Sequence, residues 1–271
     1  MIKELLKAFE DMVYSERYPS LDGSLQRIDP TVKLFMTTIF IITIVSMMKI
    51  TPLILLMGVV LLLAISSKLP LKSFLFRVTF FIPLFAGIIT LPLPFITPGR
   101  ALASFTIAGL SLNLTYEGIY RMILFTFRVW LSVAFLTLLI STTKFNDILH
   151  ALSRFKLPQI FIMMASITYR FIFNFINEGY RMILARESRI TRKQRRMEVM
   201  KTLGNIIGTL FIRAYERGER VYFAMLARGY SGELRSVNGL KVHVRDWAFA
   251  IITISICSVV IMLNYIDLVI W

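Results

Sequence analysis

The chain is 271 residues long, 56% hydrophobic, and carries a formal charge of +15 from 31 Lys and Arg against 16 Asp and Glu, with a mean hydropathy of +0.70. Soluble domains hold about half their residues as apolar groups without gathering them into long runs, so this composition excludes an ordinary soluble enzyme and points to an integral membrane protein with several spans. In such a protein the charge excess reads as the positive-inside bias of cytoplasmic loops rather than as nucleic-acid binding, and the lone Cys257, inside an apolar run, excludes a disulfide framework.

Residues 1–10 alternate charged and apolar groups, so no cleavable signal peptide is expected. Residues 1–20 read as an amphipathic helix, with Ile2, Leu5, Leu6, Phe9, Met12 and Val13 at helical spacing. Such a helix lies along the membrane face or packs on the protein. Asp29 is expected to cap the first span, with Pro30 at its first helical position. Span one is expected over 32–48, span two over 52–67 and span three over 74–93, kinked at Pro83 and frayed at Pro92. The loop 94–113 is rich in Pro, Gly and small residues. Within it, Phe105-Thr106-Ile107 and residues 110–114 are predicted to pair as a short hairpin around Ala108-Gly109. Span four, over 117–140, starts with Thr115 as its cap and carries Arg128 in its body. Arg128 is left open between pairing with a polar neighbour, snorkelling and facing a partner.

From 141 to 246 the pattern changes, with 19 Lys and Arg against 8 Asp and Glu and apolar residues at helical intervals. One amphipathic helix is predicted over 145–155. A longer one starts at Pro158 and extends past Arg186. Its first part, 159–175, is apolar enough to touch lipid, but Arg170, Asn174 and Asn177 make it a poor independent span. A third helix is predicted over 197–228, with Leu203, Ile207, Leu210, Ala214, Val221 and Met225 near one stripe. The last span covers 247–270. The expected fold is therefore all-α: a polytopic membrane protein of about five transmembrane helices plus a cytoplasmic domain of amphipathic helices. Its parts are an N-terminal segment 1–30, spans one to four in 31–140, cytoplasmic helices in 141–246 and the last span in 247–271. The charge pattern places the amino terminus in the cytoplasm, the basic segment on the same side, and the carboxyl terminus outside.

No catalytic constellation stands out. His150 and His243 are isolated, and the chain has no HExxH, Cys-x-x-Cys or P-loop motif. The spans lack a row of buried carboxylates for ion coupling. No catalytic, cofactor-binding or metal-binding residue is assigned.

The information lies in the basic segment. Leu-Ala-Arg occurs twice, at Leu184-Ala185-Arg186 and Leu226-Ala227-Arg228, the second continuing as Gly229. Glycine after a helix takes the left-handed conformation that ends it. A cation there gains about 0.3–1 kcal/mol from the helix dipole. The small alanine admits a close approach, and guanidinium grips a carboxylate with two parallel bonds. Arg217 lies about 20° in azimuth from Arg228, eleven residues on, with Arg213 and Arg220 flanking this line as a supporting basic face. At the first site Glu187 replaces the glycine, and that helix is expected to run on through Arg189. Two other readings stand beside docking. The basic face, with the cluster Arg189, Arg192, Lys193, Arg195 and Arg196, is a solvated anchor near anionic lipid or for acidic partners. Alternatively it belongs to a membrane enzyme acting on anionic lipid or nucleotide substrates, although Glu187, Glu198, Glu216, Glu219 and Glu233 form no recognised catalytic array.

The segment resembles the T component of energy-coupling factor (ECF) transporters, whose cytoplasmic coupling helices carry two Ala-Arg-Gly motifs. The second motif matches in full as Ala227-Arg228-Gly229, within AMLARGYSGE; the first stands as Ala185-Arg186-Glu187. The stretch Leu25-Gln26-Arg27-Ile28-Asp29-Pro30-Thr31-Val32-Lys33 resembles the family's lead-in to its first span. The N-terminal helix and Asp22-Gly23-Ser24-Leu25-Gln26 look most like the cobalt-type branch, CbiQ. The resemblance covers nearly the whole chain. It implies a non-enzymatic subunit of a multi-pass permease in the cell membrane, importing cobalt or nickel ions. The implied partners are two cytoplasmic ABC-type ATPase subunits, which hold ATP and Mg, and a small membrane substrate-binding subunit. Arg186 and Arg228 would each sit in a groove on one ATPase.

Overall fold

The computed structural model describes residues 23–80, 82–107, 110–155, 157–190, 195–232 and 243–269. The amphipathic helix expected over 1–20 lies outside the described residues, as do Arg192 and Lys193 of the basic cluster and Glu233. The chain divides into two compact units, one of Glu16–Ile148 with Leu240–Trp271, the other of Leu149–Gly239.

In the first unit, helix α1 (Pro30–Ser46) begins as its sequence dictates. The Asp29 carboxylate accepts the Thr31 N–H at 2.7 Å and Pro30 takes the first position, where its missing N–H is no loss. Helix α2 (Ile50–Ser66) follows a tight turn. Each has 17 residues, and at about 1.5 Å per residue each is near the short limit for a span. Arg128, mid-way along a later helix, donates to the Met47 carbonyl of that turn, and the Met48 N–H donates to Asn264 Oδ1 at 3.1 Å. Of the alternatives for Arg128, the half-buried side chain takes the polar neighbour: a backbone carbonyl within the bundle.

The expected third span lies within one apolar stretch, Leu71–Ile96, long enough to cross a membrane. Its described helical segments are α3 (Leu71–Phe80), α4 (Ile82–Thr90) and α5 (Leu93–Ile96), with residue 81 outside the described residues. A turn at residues 91–92 separates α4 from α5 where the frayed end is expected, and Pro92 stands at the N-cap of α5. The predicted hairpin is present and longer than expected, with β1 (Ala101–Ile107) antiparallel to β2 (Leu110–Thr115), Phe105 opposite Leu112, and an irregular register between Ala101 and Ala103.

Helix α6 (Tyr116–Thr142) is the centre of this unit. Thr115 occupies its N-cap position but does not cap it. Its hydroxyl lies 3.0 Å from the Pro94 carbonyl and 2.9 Å from that of Thr97 instead. The demand of those two loop carbonyls for a donor overrides the capping role. Gly118 permits the fit, because a Cβ there would come within 2.5 Å of Pro94 Cα. Helix α10 (Val244–Val269) completes the bundle.

The core follows from one-sided apolar stripes. Leu53, Leu56, Val60 and Ala64 of α2 recur at helical spacing and are fully buried. They meet Phe40 and Ile44 of α1, Val78 of α3, Leu131, Phe135 and Leu138 of α6, and Val260 of α10. Phe40 and Phe135 stack at 4.3 Å. The opposite faces are equally apolar yet open: Leu62 is 68% and Ile89 71% exposed. A soluble protein does not leave such continuous apolar surface in water; in a bilayer it faces lipid.

In the second unit, α8 (Gln159–Glu187) and α9 (Arg196–Ala227) are long helices, reached through α7 (Phe145–Arg154). Among the described residues, four stretches are long and apolar enough to cross a membrane: Leu71–Ile96, Tyr116–Thr142, Gln159–Glu187 and Val244–Tyr265. The third is α8, which meets that test although its sequence argues against an independent span. The protein is all-α and polytopic, with one small hairpin.

Candidate partner-docking site

The two arginine motifs end the two long helices of one antiparallel hairpin. Four contacts establish its direction. Tyr230 Oη donates to Met163 Sδ at 3.1 Å. The Arg217 guanidinium lies 5.6 Å from the Phe175 ring centroid. Arg213 meets Glu178 at 2.7 Å, and a Cβ on Gly179 would touch Leu210 at 3.3 Å. Partners later in α8 are earlier in α9, as antiparallel packing requires. Arg186 therefore sits at the closed end of the hairpin and Arg228 at the open end, beside Met163. From Met163 to Arg186 the continuous helix advances by 23 residue steps, or about 35 Å.

The Arg228 end is built from backbone geometry. Gly229 has φ +82°, its N–H donates to Leu226 O at 2.9 Å, and the Tyr230 N–H donates to Met225 O at 3.1 Å. This pair of bonds is the Schellman arrangement, which satisfies carbonyls that a helix end leaves open. Arg228 is the exposed C-cap residue, between exposed Ala227 and Gly229. Among the described residues no side-chain bond holds its guanidinium.

The Arg186 end stops without a glycine. The helix does not run on through Arg189: it ends at Glu187. Ser188 donates to the Leu184 carbonyl through both its N–H and its hydroxyl, each at 3.0 Å. Arg189 N–H to Arg186 O and Ile190 N–H to Glu187 O then tighten the final turn. Ala185 and Glu187 are exposed and Arg186 is half-buried.

The three flanking arginines are used differently from one another. Arg213 and Arg217 both reach Glu178, at 2.7 and 3.5 Å, and Arg217 also lies over Phe171 and Phe175. They tie α9 to α8. Among the described residues Arg220 pairs with Glu216 alone, one turn away at 3.8 Å, and both are open to water. Glu178 escaped the sequence reading. Its signal was present: it is the single acid in α8 before Glu187, and an acid within an apolar helix calls for a partner. Tyr230 was missed too, although the position after a helix-ending glycine often packs back on its helix. Between α8 and α9, Gly179 and Leu210 adjoin an apolar cavity of about 420 Å³, also lined by Phe175, Ile183, Leu203 and Ile207.

The family model described as cobalt transport protein, CbiQ, matches residues 22–237. That match spans both arginine motifs and the whole bundle except its last helix. The chain belongs to the CbiQ cobalt transport family. An uncharacterized protein of Methanocaldococcus jannaschii is 35% identical over 266 residues, which cover 97% of this chain and 90% of that protein. The cobalt transport protein CbiQ of Rhodobacter capsulatus is 31% identical over 150 residues, 55% of this chain and 61% of its own. The energy-coupling factor transporter transmembrane protein EcfT of Ruminiclostridium cellulolyticum is 30% identical over 228 residues, 80% and 83% of the two chains. Family membership and the apolar helices together make this a multi-pass membrane component of a transporter.

Proposed function

We propose that this chain is the coupling subunit of an ATP-driven importer for cobalt or nickel ions. It transmits the motion of two cytoplasmic ATPases, which bind ATP and Mg, to a small substrate-binding membrane subunit. Arg186 and Arg228 dock one ATPase each, flanked by Ala185 and Glu187 at one end and Ala227 and Gly229 at the other. The observation that carries this reading is their separation. Two arginines about 35 Å apart at opposite ends of one hairpin are too far apart to share one groove, and they suit two copies of a similar surface. Guanidinium forms paired bonds with a carboxylate, so each groove is expected to be acidic. Relatives carry names that fit the cargo: the CbiQ of R. capsulatus for cobalt and the nickel permease LarQ of Lactiplantibacillus plantarum, 27% identical over 107 residues.

The test is the double variant Arg186→Ala with Arg228→Ala, coexpressed with its ATPase and substrate-binding partner subunits. Membrane insertion is expected to be unchanged, metal uptake lost, and ATP hydrolysis no longer linked to uptake. Uptake at the wild-type rate would falsify the docking role.

A further inference from the structure

The bundle holds a polar cluster that the docking ends do not use. Asp246, in the first turn of α10, is 2% exposed. One of its carboxylate oxygens accepts the N–H of His243, just before its own helix, at 2.7 Å. The other accepts the N–H of Asp29, at the cap of α1, at 2.8 Å. One turn into α1, the Lys33 ammonium, on a residue 3% exposed, donates to the Thr142 carbonyl at 3.1 Å. Thr142 is the last residue of α6. One cluster therefore joins the starts of α1 and α10 to the end of α6.

Those three points have a meaning in the chain. Thr142 is where the chain leaves the bundle for the arginine-bearing helices, and His243 is where it returns. Buried charges are costly unless fully bonded. A helix start needing only a cap is served by a local Ser, Thr, Asp or Asn. Here the carboxylate reaches a backbone 217 residues away. Charge-assisted bonds in a desolvated site are short and directional, so the three ends are held as one piece.

We infer that the Asp29–Lys33–Asp246 cluster is the anchor through which motion of the segment between α6 and α10 enters the membrane bundle, with Asp246 and Lys33 as positioning residues. The inference rests on the coupling role proposed above. Without the cluster, the departure and return of the segment are two covalent hinges that flex independently. With it, displacement of either connection moves the ends of α1, α6 and α10 together.

The experiment uses the full transporter in proteoliposomes. Asp246→Asn leaves one side-chain oxygen where two are needed. Lys33→Met keeps the stem and removes the donor, and Lys33→Arg restores a donor. Asp246→Asn and Lys33→Met are expected to assemble with their partners and hydrolyse ATP at near the wild-type rate, while uptake per ATP falls about tenfold, the size of one lost charged hydrogen bond. Lys33→Arg recovers most of the uptake. Amide exchange at Asp29 and His243 is expected to speed up by about tenfold in Asp246→Asn, with amides in mid-α6 unchanged. That exchange reads the cluster whether or not Arg186 and Arg228 dock ATPases, so failure of the docking role and failure of the anchor are distinguishable. Wild-type uptake per ATP in both Asp246→Asn and Lys33→Met would overturn the anchor. So would parallel loss of assembly, hydrolysis and uptake in both, without recovery in Lys33→Arg, because that is the outcome of a purely architectural role.

Discussion

Gly229 is required by its backbone and not by its surroundings. Its φ is +82°, yet nothing lies within 4 Å of where a Cβ would stand. Alanine fits the space but must hold a left-handed conformation that costs a side-chain-bearing residue about 1–2 kcal/mol. Gly229→Ala is therefore expected to fray the Schellman turn, lower the thermal stability of the purified protein slightly, and reduce co-purification of the ATPases. Unchanged retention of both ATPases would show that the helix end need not be rigid. The end at Arg228 was legible because glycine after a periodic run has one common use. The end at Arg186 was not, because Ser188 stops its helix by bonding back to Leu184, and a serine has several local options. Gly118 is the contrary case. It lies within a helix, and its need arises from Pro94 approaching from another element. Gly118→Ala should destabilise the bundle by about 1–3 kcal/mol through overpacking, measured by denaturant unfolding in detergent.

At the scale of elements, the hairpin of α8 and α9 sets the distance between the two arginine ends. Glu178 fixes it by receiving both Arg213 and Arg217. An exposed ion pair contributes at most about 1 kcal/mol, but this carboxylate is partly buried and shared, and the Phe171 and Phe175 rings lie against Arg217. Glu178→Gln is expected to loosen the hairpin. Spin labels at Ser188→Cys and Ser231→Cys, in a Cys257→Ser background, should give a narrow distance near 35 Å in the parent hairpin, from about 1.5 Å per helical residue, and a broader one in the variant. An unaltered distribution would remove Glu178 from the clamp. The helices themselves were legible from apolar periodicity, and α1 and α2 lie close to their expected bounds. The interruption at Pro92 was legible too, because a proline inside an apolar run disrupts the helix ladder.

At the scale of the molecule, charge orients the chain. The arginine-bearing hairpin is expected on the cytoplasmic side with the amino terminus, and the loop around Thr97 outside. In intact cells or right-side-out vesicles, a membrane-impermeant maleimide should label Thr97→Cys and leave Ser188→Cys and Ser231→Cys untouched until the membrane is opened. Labelling of the last two from outside would invert the topology, and labelling of only one would place α8 across the bilayer. The sequence alone determined the membrane class, the approximate positions of the apolar helices, the cap at Asp29-Pro30, the stop at Gly229 and the family. These depend on hydropathy, period and residues a few positions apart. Only the tertiary structure decided which arginines are engaged within the protein and which is open, that Arg186 and Arg228 lie at opposite ends of one hairpin, and that Asp246 meets Asp29. Those outcomes depend on pairings between segments tens to hundreds of residues apart. A lone charge in a sequence shows that a partner is needed; the packing of distant helices chooses the partner.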